Sequence, residues 1–131
     1  MLPRVDNPFG PIGSANYVLL TTFRKDATPV ATPVWAVLDD SRLHVWTVAD
    51  AGKVKRIRRN AAVTLQPCSA TGTPHGSTLD GTARILDAAG SERVRRLIKR
   101  KYPVSGRLIV AGSLLRRGRQ GTVGIEITTD G

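Results

Sequence analysis

Three β-favouring segments between residues 17 and 48 are separated only by the short turns 25–28 and 39–41, and this spacing constrains the fold most. A parallel pair needs a crossover of about a dozen residues, so connections this short predict antiparallel pairing. YVLLTTFR (17–24) is rich in β-branched and aromatic residues and reads as a strand. PVATPVWAVLD (29–39) reads as a second, with Val30, Thr32, Val34 and Ala36 on one face and Ala31, Pro33, Trp35 and Val37 on the other. Pro33 has no ladder donor, which predicts an edge strand or a bulge there. RLHVWTV (42–48) alternates as a third strand.

The register breaks at Ala49–Gly52, and KVKRIRR (53–59) then places Val54 and Ile57 three apart, as a short one-sided helix would. AAVTLQPC (61–68) returns to strand, and STLDGTARILD (77–87) is a further strand with a bulge expected at Gly81. ERVRRLIKRKY (92–102) is the clearest helix, with Val94, Leu97 and Ile98 as its apolar stripe, Ser91 as its cap and Pro103 as its stop. RLIVAGSLLRRG (107–118) is ambiguous, although Leu108, Ala111, Leu114 and Leu115 fit helical spacing; GTVGIEIT (121–128) closes the chain as a strand. The expected fold class is mainly β: a six-stranded antiparallel barrel with two or three helices, since closure removes exposed edges. The 131 residues suit a single domain, 1–131, led by an irregular stretch, 1–16, that carries Pro3, Pro8, Pro11, Gly10 and Gly13.

Twenty Lys and Arg against ten acids give a formal net charge of +10, and fifteen of the twenty are Arg. Such a field favours polyanions, phosphorylated small molecules or an acidic membrane surface, and Arg suits forked phosphate recognition. The basic run 93–101 carries no interleaved aromatic to stack bases and reads as a solvated face, so no nucleic-acid partner is expected. No apolar run is long enough to span a membrane and the N-terminus has no signal-peptide pattern, so the expected address is cytoplasmic.

Five cations fall between Lys53 and Arg59, just after Gly52, where a helix start offers free N–H groups to an anion. Lys53, Arg56 and Arg59 form one row at i, i+3 spacing, able to hold a phosphate or carboxylate; a solvated charged face is the competing reading. His44 and His75 have no neighbours at metal-ligand spacing, and no nucleophile elbow or glycine-rich phosphate loop occurs. Cys68 reads as a small buried residue. With no catalytic side chain in view, a cofactor would carry the chemistry if the chain is an enzyme.

The ordered set YVLLTTFRKDATPVATPVWAV (17–37), RLHVWTVADAGKVKRIRRNAAVTLQPC (42–68), LDGTARIL (79–86) and GTVGIEI (121–127) resembles the pyridoxamine 5′-phosphate oxidase-like split β-barrel superfamily. It resembles in particular the flavin/deazaflavin oxidoreductase branch that uses the F-420 deazaflavin. The resemblance implies a homodimer with a cofactor cleft at the subunit interface. It places the phosphate-bearing tail at Trp46, Thr47, Gly52, Lys53, Arg56 and Arg59, and the cofactor ring along Thr32, Pro33 and Val34, with Trp35 and Cys68 as further walls. It implies hydride transfer from the reduced F-420 deazaflavin to a small unsaturated acceptor such as an enone, quinone or tetrapyrrole. FMN is the alternative cofactor, and a non-catalytic cofactor- or polyanion-binding protein the alternative role. Two positions depart from the pattern: Ala27 stands where Gly is usual in the first turn, and Ala51 where Ser or Arg often supplies a phosphate donor. The oxidase's own substrate-binding C-terminal segment is not recognisable, which implies a different substrate.

Overall fold

The structure is a computed structural model that describes residues 8–104, 108–109, 112 and 121–129. The chain runs β1 (Val18–Phe23), β2 (Pro29–Val34), β3 (Ala36–Asp39), β4 (Arg42–Val48), α1 (Gly52–Arg59), β5 (Ala62–Pro67), β6 (Leu79–Ile85), α2 (Ala88–Lys101) and β7 (Thr122–Thr128). The strands form one seven-stranded sheet in the order β2-β1-β5-β6-β7-β4-β3, every pair antiparallel.

The expected strand 29–39 is two strands. It breaks at Trp35, which is why seven strands stand where six were expected. Its halves lie at the two opposite edges of the sheet. If the sheet were flat, those edges would be about 29 Å apart at the usual interstrand spacing. Val34 and Ala36 are two residues apart and separate by at most about 7 Å. The sheet is therefore rolled into a split barrel, with Trp35 bridging its seam. Pro33, opposite Leu19 of β1, sits on the edge strand β2, where its missing N–H leaves no partner wanting.

Inward-facing Leu20, Leu43, Val45, Val63, Leu65, Ile125 and Ile127 fill the barrel, each at most 2% exposed. Burial of each such side chain contributes roughly 1.5–3 kcal/mol. A 3-10 turn, Gly10–Ser14, forms within the lead-in expected to be irregular, and it buries Phe9 and Ile12 in the same core. Outside the barrel, Val94, Leu97 and Ile98 of α2 pack on Val37, with Trp35, Trp46, Leu86 and Tyr102 around them. The C-terminal end of α2 latches the seam. Tyr102 stacks on Trp35 with ring centroids 4.4 Å apart. Its hydroxyl donates to Asn16 O at 2.6 Å, and Lys101 Nζ donates to Ala15 O at 2.7 Å and Ala36 O at 2.5 Å.

Other expectations are corrected. The β5–β6 register runs unbroken through Gly81, which pairs with Val63, so no bulge forms there. Gly81 instead permits close approach, because a Cβ would lie 2.9 Å from Ile127 Cγ2. Helix α2 begins at Ala88, capped by Asp87, whose carboxylate accepts from Gly90 N. Ser91, the expected cap, is inside the helix and buried, and its hydroxyl accepts from Gly124 N at 2.9 Å. The basic run of α2 is not uniformly solvated: Arg95 is 3% exposed. Of the ambiguous segment 107–118, residues 108, 109 and 112 are helical; Ala111, Leu114 and Leu115 lie outside the described residues. Among the described residues, no helix is long and apolar enough to cross a membrane.

Candidate functional site

A cavity of about 540 Å³ opens beside the seam. That size suits a small-molecule ligand. Strand β2 supplies Pro33 and Val34, the bridging residue Trp35 adds an aromatic wall, and β4 contributes Trp46, Thr47 and Val48. Lys53 enters from the first turn of α1, Thr122 from the start of β7, and Leu108, Ile109 and Gly112 from the helical residues beyond α2. Two indoles and a proline make flat apolar surfaces, and a cation sits among them. This combination accommodates a planar ring joined to an anionic group.

Lys53 is half-buried, and no acidic side chain among the described residues pairs with it. Burial first, and the charge of Arg56 second, hold its ammonium group below the usual lysine range. A bound anion would relieve both effects. The N-cap residue Ala51 makes no side-chain cap, and the first turn of α1 contains no acid. Its leading N–H groups and the positive end of the helix dipole therefore add to the Lys53 field. The indole Nε1 of Trp46 is buried and has no hydrogen-bond partner among the described residues, a donor that a ligand acceptor could satisfy.

The structure brings Pro33, Val34, Trp46, Thr47 and Lys53 of the expected site residues together around this cavity. Thr32 is opposite Leu20 in the β1–β2 ladder and is not among the lining residues. Arg56 donates from Nε to Thr22 Oγ1 at 2.7 Å, and its guanidinium lies over Gly52, 2.7 Å from where a Cβ would sit. Arg56 thus borders the site without lining the cavity. Arg59 is turned away, donating to Phe23 O at 3.2 Å. Trp35 walls the cavity, whereas Cys68 does not: it is 4% exposed beside the Tyr17 end of β1, and burial pushes its thiol up.

Sequence reasoning missed Thr122, Val48, Leu108, Ile109 and Gly112. Thr122 reaches the site only because β7 pairs with β4, placing it opposite Val48. Nothing in the local pattern of residues 121–128 announces that neighbour.

Solved structures share this architecture. A conserved hypothetical protein, Rv2991, from Mycobacterium tuberculosis is 19% identical, with 100% of this chain and 87% of that one covered at a TM-score of 0.69. An F420 reductase is 17% identical, covering 99% of this chain and 97% of that one, with a TM-score of 0.61. The heme storage protein HutZ from Vibrio cholerae is 15% identical, covering 92% and 85%, with a TM-score of 0.66. At such identities the likeness is one of fold. No curated protein matches the chain significantly by sequence. The family model described as pyridoxamine 5′-phosphate oxidase matches residues 11–129, nearly the whole described chain, and the chain belongs to that family of split β-barrels.

Proposed function

We propose that this protein is an oxidoreductase that binds the F-420 deazaflavin in the cavity beside the seam. The cofactor, when bound, supplies hydride chemistry toward a small unsaturated acceptor such as an enone, quinone or tetrapyrrole. The observation that carries this reading is Lys53: a half-buried cation at a helix start, with no acidic partner among the described residues, opening onto a cavity walled by Trp35 and Trp46. In this reading Lys53 and the first turn of α1 hold the phosphate, with Arg56 adding charge from beside Thr22. Pro33 and Val34 lie along the ring, Trp46 and Thr47 orient the attached chain, and the apolar walls exclude water. The net charge of +10 suits a cofactor with both a phosphate and a polyglutamate tail.

The active form in this proposal is a homodimer. Leu108 and Ile109, which line the cavity, are 71% and 50% exposed, and nearby Val104 is 72% exposed. A second copy covering these side chains would bury them and close the cavity at the subunit interface.

The test is an equilibrium titration of purified protein with the F-420 deazaflavin and with FMN, followed by fluorescence at low and moderate salt. Tighter deazaflavin binding is expected. Preference for FMN would reassign the cofactor while keeping the site, and binding of neither would overturn the reading. A solution mass of one chain at micromolar concentration would overturn the dimer.

A further inference from the structure

Thr122 is a cavity-lining residue whose hydroxyl oxygen is already committed to a buried cation. It is 2% exposed at the start of β7, and its Oγ1 accepts from Arg95 NH1 at 2.9 Å. Arg95 is itself 3% exposed and donates from Nε and NH2 to Glu92 Oε2, at 3.3 and 2.8 Å. The Glu92 carboxylate thus fixes the guanidinium, and the guanidinium fixes the threonine rotamer.

A hydroxyl has one proton to donate, and a guanidinium has no acceptor to receive it. The Thr122 proton must therefore point elsewhere, and no acceptor for it occurs among the described residues. A buried donor without a partner is costly. Thr122 lines the same 540 Å³ cavity as Lys53 and Trp46, as well as a second cavity shared with Arg95 and Glu92, and a ligand in the first offers an acceptor for that proton. The adjoining positive charge makes the hydroxyl a stronger donor than an isolated threonine.

We infer that Thr122 donates a hydrogen bond to a carbonyl oxygen or ring nitrogen of the ligand in this cavity, with Arg95 and Glu92 as positioning residues behind it. This rests on the proposed flavin-type occupant and specifies one of its contacts. Deazaflavin and flavin rings share a pyrimidinedione edge of such acceptors, and that edge becomes more negative on reduction. A polarised donor backed by a guanidinium binds the more negative edge better. The contact therefore favours the reduced cofactor over the oxidised one, which raises the potential of the bound ring.

The experiment measures dissociation constants for oxidised and reduced F-420 deazaflavin, and for FMN, in wild type, Thr122→Val and Thr122→Ser, together with the melting temperature of each protein without cofactor. Thr122→Val should weaken binding of the reduced form about tenfold more than that of the oxidised form. Thr122→Ser, which keeps the hydroxyl, should restore the wild-type ratio. A purely structural role would lower the melting temperature and shift both affinities together. If Val is not tolerated beside Arg95, Thr122→Ala makes the same comparison. Unchanged ratios in a wild type and variants that all bind cofactor would overturn the Thr122 assignment alone. Failure of the wild type to bind either cofactor would overturn this assignment and the proposed function with it.

Discussion

Arg56 Nε donates to Thr22 Oγ1 at 2.7 Å, and this bond separates the cations of α1 into two roles. Arg56 is tied to β1, Arg59 donates to Phe23 O, and Lys53 is left facing the cavity. Lys53→Ala should therefore weaken binding of a phosphate-bearing cofactor by about 1.5–3 kcal/mol, the worth of a hydrogen bond to a charged group. Arg59→Ala should change it little. Because Lys53 is half-buried beside Arg56 and has no acidic partner among the described residues, Lys53→Met should raise the melting temperature of the cofactor-free protein while lowering its affinity. Titration calorimetry and thermal melts on the same samples check both halves. An Arg59→Ala loss as large as that of Lys53→Ala would refute the division.

Much of this arrangement is legible locally. The β-branched and aromatic content of 17–24, the alternation along 42–48, the Val54–Ile57 spacing and the cationic run after Gly52 each depend on neighbours within a turn or two, and they produced the expected elements. The break at Trp35 is not local: residues 29–39 contain no turn signal at Trp35, and only barrel closure sends their halves to opposite edges. Gly90 in the first turn of α2 disfavours a helix, and the Asp87 cap and packing on β7 offset it, so the helix starts before the expected Ser91. At Gly124 of β7 a Cβ would meet Val94 Cγ2 at 2.7 Å, so the helix lies close on the strand there. Arg95 looks like its solvated neighbours in sequence, yet its partner Thr122 lies across a register that no local pattern specifies.

Ala27 occupies the turn between β1 and β2 at φ +70°, in the left-handed region, closed by Arg24 N donating to Thr28 O at 2.9 Å. A non-glycine residue there costs about 1–2 kcal/mol. Glycine removes that strain and adds about 0.4–1 kcal/mol of unfolded-chain entropy. Ala27→Gly should thus stabilise the protein by about 0.5–1 kcal/mol net. The readout is a higher urea midpoint with an unchanged m-value. A lower midpoint would mean the turn stores no such strain.

His44 is fully buried on β4, with neither ring nitrogen hydrogen-bonded among the described residues, and its Nε2 lies 3.8 Å from Glu126 Oε2. Burial first, and the charge of Arg93 second, press its pKa below the ordinary 6.5, against weaker pulls from the Val37 backbone, Glu126 and Asp39. Glu126 is drawn toward other cations, Arg84 at 2.9 Å and Arg42 at 3.6 Å, which hold its carboxyl below the ordinary 4.5 despite burial. In the unfolded chain the imidazole takes up a proton near 6.5, while in the fold it does so only at lower pH. Between these values the unfolded state binds more protons, so stability falls as pH falls. The Glu126 contribution is lost only at more acid pH, below its ordinary 4.5, which separates the two windows. The wild-type urea midpoint should decline between about pH 7 and pH 5, and His44→Leu should flatten that decline. If the wild-type midpoint instead held level or rose on acidification, Glu126 would be stabilising an imidazolium, and the neutral buried ring described by this geometry would be wrong.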